Sequence, residues 1–243
     1  NGRSRGLGDV YKRQPLEGWT YNNLLYKLNE NLNNDELAYH VVNDYVESYR
    51  NGSVYTSYSV TASVVSSNEL DELWQELDNF SSELNSVLPI FKEEIKDARD
   101  RTQRFDQNPN YRDLYDLTVN IEQHIPVISV KEAAQKLRNA LNQTVMFEDH
   151  WIKPEKLNVE RAKGMTIYFP TDGAKYGYSE LKIKNNMWFN FITNYEKSVQ
   201  SESTFGQVNS TSVNTGTGHN DSVLVNGSFT GNASLLILRM VDA

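Results

Sequence analysis

Apolar residues along this chain recur mostly at helical spacing. In "WTYNNLLYKLNENL", Tyr21, Leu24, Leu25 and Leu28 fall three or four apart and predict a helix. "NND" then supplies a capping signal, and "ELAYHVVNDYVESY" repeats the pattern with Leu37, Val41, Val42, Tyr45 and Val46. "NGS" breaks the chain, and "SYSVTASVVSS", rich in Val, Ser and Thr, reads as a strand. Asn68 and Asp71 open a long amphipathic stretch, "LDELWQELDNFSSELNSVLPIFKEEIKDARDRTQRF", with Leu70, Leu73, Trp74, Leu77, Phe80 and Leu84 on one face. Pro89 is expected to kink or divide it.

Two further helices are predicted downstream. "YRDLYDLTVNIEQHI" turns Tyr111, Leu114, Leu117 and Ile121 inward. "SVKEAAQKLRNALNQTVMFEDHW" follows Pro126 with an apolar stripe of Val130, Ala134, Leu137 and Leu141. "GMTIYFP" is a dense run of β-formers ended by Pro170, the signature of a buried strand. "NNMWFNFITNY" reads as a short helix with Trp188, Phe191 and Ile192 inward. Beyond it, Ser198–Asn220 is rich in Ser, Thr, Asn and Gly and reads as a linker, and "SLLILRM" as a strand in need of a partner. Strands alternating with helices point to an α/β fold with helices on the faces of a sheet. Two strands among so many helices are too few to cover the apolar faces. That shortage leads to the expectation that further strands lie upstream.

The N-terminal stretch has a different character. "SRGLGDVYKRQ" (Ser4–Gln14) has no apolar period and resembles a translated sequencing adapter. Residues 1–14 are therefore expected to be foreign to the fold, with the domain running over 15–196 and a polar linker with a short β segment over 197–243. The whole chain carries a net charge of −8. Residues 1–14 hold Arg3, Arg5, Lys12 and Arg13 against Asp9, a surplus of three positive charges that leaves the remainder at −11. Such an acidic surface repels phosphate backbones and argues against nucleic-acid binding. No run of eighteen apolar residues is present to span a membrane.

The chain contains no cysteine, which excludes disulfides, thiolate metal sites and a cysteine nucleophile of its own. His40, His124, His150 and His219 fall in no close metal-ligand spacing. His40 and His124 read as structural residues within helices. His150 reads as a loop residue whose "EDHW" context offers a carboxylate–histidine pair, and His219 as solvated. "DNF", "DLYD" and "EEIKDARD" read as solvated charged helix faces. "FPTDGAKYGY", following the strand, reads as a tight turn at Asp172–Gly173 or as a ligand loop. Glu17 stands in "PLEGWTY", with Gly18 allowing close backbone approach and Trp19 as an apolar wall. A carboxylate beside an aromatic wall suits a Lys or Arg side chain; a solvated loop Glu is the plainer reading of the same residues.

"EGWTYNNLL", "YSVTASVVSSNELDELWQELDNFSSEL", "YRDLYDLTVNI", "AKGMTIYFP" and "YSELKIKNNMWFNFITNY" follow the order found in clostripain-family cysteine peptidases. The chain resembles that family over Pro15–Tyr195, with "EGW" and "GMTIYFP" carrying most of the likeness. The resemblance implies a caspase-like α/β/α sandwich, here a partial one with a largely helical C-terminal portion. It also implies a secreted bacterial endopeptidase cleaving after Arg or Lys. In that family the catalytic His and Cys motifs precede the "GW" segment, and this chain has neither. The resemblance thus makes it a C-terminal part, inactive alone, whose partners are the missing N-terminal half and a peptide substrate with a basic residue before the scissile bond. Glu17 takes the place of the acidic residue, more often Asp, at the pocket for the basic side chain, with Trp19 lining it. Some family members are assisted by calcium, but no calcium loop is visible here and no cofactor is expected in this chain. The competing expectation is a non-catalytic helical surface-binding or adhesion module.

Overall fold

A computed structural model describes residues 21–28, 32–54, 57–105, 108–170, 187–200, 208–215 and 223–229. The chain runs α1 (Asn22–Lys27), α2 (Asn34–Arg50), β1 (Val60–Val65), a 3-10 turn (Ser67–Glu69), α3 (Leu70–Arg101), β2 (Arg104–Phe105), β3 (Asn108–Asp113), α4 (Leu114–His124), α5 (Ile128–Thr144), β4 (Val145–Trp151), β5 (Thr166–Tyr168), α6 (Met187–Gln200), β6 (Val208–Thr215) and β7 (Val223–Phe229). It is a mixed helix-and-sheet fold in which helices predominate and the sheets are small. Every strand pairing among the described residues is antiparallel: β1 with β4, β3 with β2 and β5, and β6 with β7.

The predicted helices form where their caps and stripes place them. Asn33 caps α2: its side chain accepts the N–H groups of Asp35 and Glu36, and the Glu36 carboxylate returns to the Asn33 N–H. Val42, Val46 and Tyr49 follow at helical spacing and are buried, against the two-stranded β1–β4 sheet, whose Phe147 ring lies 4.5 Å from that of Tyr39. Val41, expected inward, is exposed. In α3, Leu73, Leu77, Phe80 and Leu84 are buried as their stripe predicts, while Trp74 is 40% exposed and belongs to no core. Pro89 lies inside α3, and Phe91 leaves helical geometry at φ −111°, ψ 27°, so the helix is kinked but not cut. The main core unites α3, α4, α5 and α6 with Ile167, Tyr168 and Phe169 from β5 and its exit.

Three expectations need correction. "VMFEDHW" is not the end of a helix: α5 stops at Thr144, and Val145–Trp151 pairs along β1, with His150 opposite Thr61. The apolar spacing of α5 runs on into Val145, but pairing with β1 overrides it. His150 is therefore a strand residue. Tyr111 also lies in a strand, opposite Tyr168, and α4 begins only at Leu114. The two strands read from the sequence are thus joined by partners that the sequence did not reveal. Within the tail, read from composition as a linker, Val208–Thr215 pairs with Val223–Phe229. "SLLILRM" lies outside the described residues.

Candidate functional site

The two residues read as a basic-side-chain pocket, Glu17 and Trp19, lie outside the described residues, as do His219 and Thr171–Tyr178 of the "FPTDGAKYGY" loop. The described part of the chain contributes a framework of helices and small sheets, with a small cleft among them. Its local chemistry determines what that framework can do.

The cleft lies where the β1–β4 sheet meets the entry to β5. It is lined among others by Thr61, Ser63, Asp113, Glu148, Asp149 and Gly164, and encloses about 90 Å³. Sites for drug-sized ligands run to about 300–1,000 Å³, so it has room for little more than water. Gly164, the first residue of "GMTIYFP", makes the junction. It has φ +89°, and a Cβ there would stand 2.7 Å from Val145 Cγ1 and 3.1 Å from Ser63 Cβ. Ser63 Oγ donates to the Gly164 carbonyl at 2.6 Å, which fixes the close approach. Only glycine has both the conformation and the space for this position.

Asp113 and Asp116, part of the stretch read as a solvated charged face, are buried. Asp113 is the N-cap of α4 and wholly enclosed. Its Oδ1 accepts the Asp116 N–H at 2.9 Å and its Oδ2 the Lys163 N–H at 2.6 Å. Burial pushes its carboxyl up to about 7, against the backbone donors and aided by the neighbouring Asp116 charge. Asp116 Oδ2 accepts the Gln103 N–H at 2.6 Å, and its carboxylate meets Arg161 Nη1 at 3.2 Å. The two carboxylates tie the segment before β5 to the start of α4. Asp78 of "DNF" is half-buried and has a structural partner as well: its Oδ1 accepts the Met187 N–H at 2.8 Å at the start of α6. Spacing gave a usable signal in Asp113, since an Asp immediately before an apolar helical run is a cap signature.

The other acidic residues of the cleft already have cations. Glu148 Oε1 accepts from Lys163 Nζ at 3.1 Å, and Asp149 Oδ1 from Arg50 Nη2 at 2.7 Å. His150 Nδ1 stands 3.7 Å from Glu148 Oε2, so the carboxylate–histidine neighbours suggested by "EDHW" do meet, at a distance beyond a hydrogen bond. His40 lies in α2 with Nδ1 3.3 Å from Lys27 Nζ, and His124 in α4 with Nδ1 2.7 Å from the Asn120 carbonyl oxygen. These three histidines sit on separate elements, α2, α4 and β4. Among the described residues no group of three or more His, Cys, Asp or Glu side chains could hold a metal ion, and no helix is long and apolar enough to cross a membrane.

Two of the motifs that carry the family likeness, "GMTIYFP" and the aromatic positions of α6, meet in the core. Phe169 of "GMTIYFP" lies with its ring centroid 5.3 Å from Trp188, 5.6 Å from Phe191 and 5.2 Å from Tyr195. These three are the ring positions of "W-x-x-F-x-x-x-Y" on α6. The tilted and edge-to-face packing is what aromatic quadrupoles favour. Arg99, 1% exposed, donates from Nε to the Phe169 carbonyl at 2.8 Å and places its guanidinium 5.5 Å from the Phe169 ring centroid. Two motifs separated in sequence are therefore the two halves of one packed unit.

No curated protein and no solved structure matches the chain. The model of the clostripain family matches residues 11–218, most of its length. With two of its motifs packed together in the core and the family match running along most of the sequence, the chain belongs to the clostripain family, a family of cysteine peptidases.

Proposed function

We propose that this chain is the C-terminal part of a secreted cysteine endopeptidase that cleaves after Arg or Lys, with the reacting Cys and His supplied by an upstream part. The observation that carries this reading is membership of a cysteine-peptidase family by a chain without a single cysteine. Residues 15–196 then complete the peptidase domain, and 197–243 form a polar extension. In the assembled enzyme an upstream thiolate, assisted by the upstream imidazole, attacks the carbonyl after the basic residue. The amine leaves with a proton from the imidazolium, and water hydrolyses the acyl-enzyme. Glu17 holds the basic side chain by a charge-assisted hydrogen bond and Trp19 walls its stem, which aligns the scissile bond. The packed helices α3–α6 supply the packing and support of the domain.

The test is expression of the full reading frame. The intact enzyme is expected to cleave peptides after Arg or Lys, and the 243-residue chain to cleave none. Glu17→Gln in the intact enzyme is expected to lower kcat/KM for basic substrates by about 10²–10³, the loss of a charged partner, with circular dichroism unchanged. Equal specificity constants would remove Glu17 from the pocket. An upstream frame holding only helical or sugar-binding modules would replace the peptidase by the adhesion reading.

A further inference from the structure

The "NGS" break after α2 places an asparagine directly before a glycine in an exposed turn. Asn51, Gly52 and Ser53 are all exposed, so water reaches the turn. Asn51 is the C-cap of α2 at φ −87°, ψ 2°, and its N–H donates to the Glu47 carbonyl at 3.0 Å. Gly52 follows at φ +74°, with nothing within 4 Å of the place a Cβ would take. The Gly52 N–H donates to the Tyr49 carbonyl at 3.2 Å, the longest of the three backbone bonds that end the helix; that of Val54 to Ser48 is 2.9 Å. Such a bond at an exposed helix end opens at little cost, and opening frees the Gly52 nitrogen.

The Asn51 side chain is activated from its other side. Its Oδ1 accepts both the Ser53 N–H at 3.0 Å and the Ser53 hydroxyl at 2.6 Å. Two donors on one amide oxygen draw electron density from Cγ and stabilise the negative charge that develops on Oδ1 under attack. Nδ2 has no hydrogen-bond partner among the described residues and is free to leave. The Gly52 nitrogen is tethered to Cγ through only the Asn51 Cα, Cβ and main-chain carbon, so the reaction is intramolecular. We propose that Asn51 is a site of spontaneous deamidation, with Gly52 as the nucleophile and Ser53 as the donor to the developing oxyanion.

In the first step the Gly52 nitrogen gives its proton to hydroxide and bonds to Asn51 Cγ. The Cγ–Nδ2 bond breaks, and Nδ2 leaves as ammonia with a proton from water. In the second step water adds to one carbonyl of the resulting succinimide and breaks its bond to the Gly52 nitrogen. Opening at Cγ leaves aspartate, and opening at the main-chain carbon leaves isoaspartate. One water is consumed and one ammonia released, and nothing is oxidised or reduced. Either product puts a carboxylate at the C-terminal end of α2, where the helix dipole disfavours it. Isoaspartate also lengthens the main chain between α2 and β1. Arg50, the preceding residue, ties this end of α2 to β4 through Asp149 Oδ1 at 2.7 Å and the His150 carbonyl at 2.9 Å. The reaction thus loosens a joint between α2 and the β1–β4 sheet as the protein ages.

The test incubates the 243-residue chain in mildly alkaline buffer beside the free peptide YRNGSV (residues 49–54). Peptide mapping by mass spectrometry follows the amide-to-acid conversion at Asn51. Ser53→Ala is expected to slow it about tenfold in the folded chain, the worth of one hydrogen bond to a charged group, and far less in the free peptide. Gly52→Ala is expected to slow it at least about tenfold in both, because a Cβ crowds the attacking nitrogen. Asn120, buried in α4 with Nδ2 donating to the Asp116 carbonyl at 2.8 Å, is expected to stay intact. Asn51→Asp, which fixes one product, is expected to speed hydrogen exchange at the Val54 amide about two- to fivefold. Conversion in Ser53→Ala as fast as in wild type, or faster, would mean that Ser53 restrains the side chain, and overturns its role as oxyanion donor. Wild-type Asn51 intact long after the free peptide has converted overturns the site itself. Unchanged exchange at Val54 in Asn51→Asp overturns the loosening.

Discussion

The indole Nε1–H of Trp188 donates to the main-chain carbonyl of Tyr168 at 2.9 Å, inside the core. This bond joins α6 to β5 at the point where the "W-x-x-F-x-x-x-Y" helix crosses the "GMTIYFP" strand. Trp188 is 1% exposed, so no water stands ready to replace the donor. Trp188→Phe keeps an aromatic ring but leaves the carbonyl unpaired and a small void behind. It is expected to cost about 2–4 kcal/mol, measured by urea unfolding. A loss below about 1 kcal/mol would mean that ring packing alone holds the two motifs together.

Gly164 and Gly52 allow conformation to be separated from crowding. Both have positive φ, +89° and +74°, but a Cβ on Gly52 meets nothing within 4 Å, whereas one on Gly164 runs into Val145 at 2.7 Å. Gly52→Ala is expected to cost about 1 kcal/mol, the backbone term alone. Gly164→Ala adds the collision and is expected to cost about 2–4 kcal/mol, with the β1–β4 sheet pushed from the entry to β5. Equal losses at the two positions would show that the β1–β4 sheet yields freely.

Arg99 has a guanidinium buried with few partners. Nε serves the Phe169 carbonyl, Nη1 meets Asp100 Oδ1 at 2.6 Å, and Nη2 is buried without a hydrogen-bond partner. Arg112, also buried, donates from Nε to the Arg99 carbonyl at 3.1 Å. Burial first, and the Arg99 charge next, hold the Arg112 guanidinium down at about 10. Arg99→Met fills the volume and relieves the charge repulsion, at the cost of the Phe169 hydrogen bond. A loss of about 1–3 kcal/mol is expected. Arg99→Ala opens a cavity as well and is expected to lose about 3–5 kcal/mol in the same denaturation experiment. If Arg99→Met proves more stable than wild type, the charge is a burden that packing alone could replace.

What the sequence made legible follows from the range of the forces involved. The cap at Asn33 and the stripe Leu73–Leu77–Phe80–Leu84 depend on neighbours within a turn or two, and both appear as read. β4 was hidden because its identity comes from pairing with β1, far away along the chain, while its apolar spacing continues that of α5. The burial of Asp113 and Asp116 was hidden for the same reason: their partners Gln103, Arg161 and Lys163 arrive from other segments. The pocket reading of Glu17 and Trp19 came from a local carboxylate–aromatic pattern and from family likeness. Neither of these depends on the packing of α3–α6.

Asp113 gives stability a pH dependence of definite sign. Burial raises its carboxyl from 3.8 to about 7, so between those values the folded chain retains a proton that the unfolded chain releases. Its contribution is complete below about pH 4 and is lost as the pH rises through 7, by roughly 2–4 kcal/mol in all. Asp113→Asn has no proton to lose there. The variant is expected to be less stable than wild type at pH 5, because its amide cannot accept both the Asp116 and the Lys163 N–H. That gap should narrow by pH 8. Urea unfolding of both proteins at half-unit intervals from pH 4.5 to 8.5 measures the difference directly. A gap that widens with pH would mean that the backbone donors outweigh burial and that Asp113 is held as an anion.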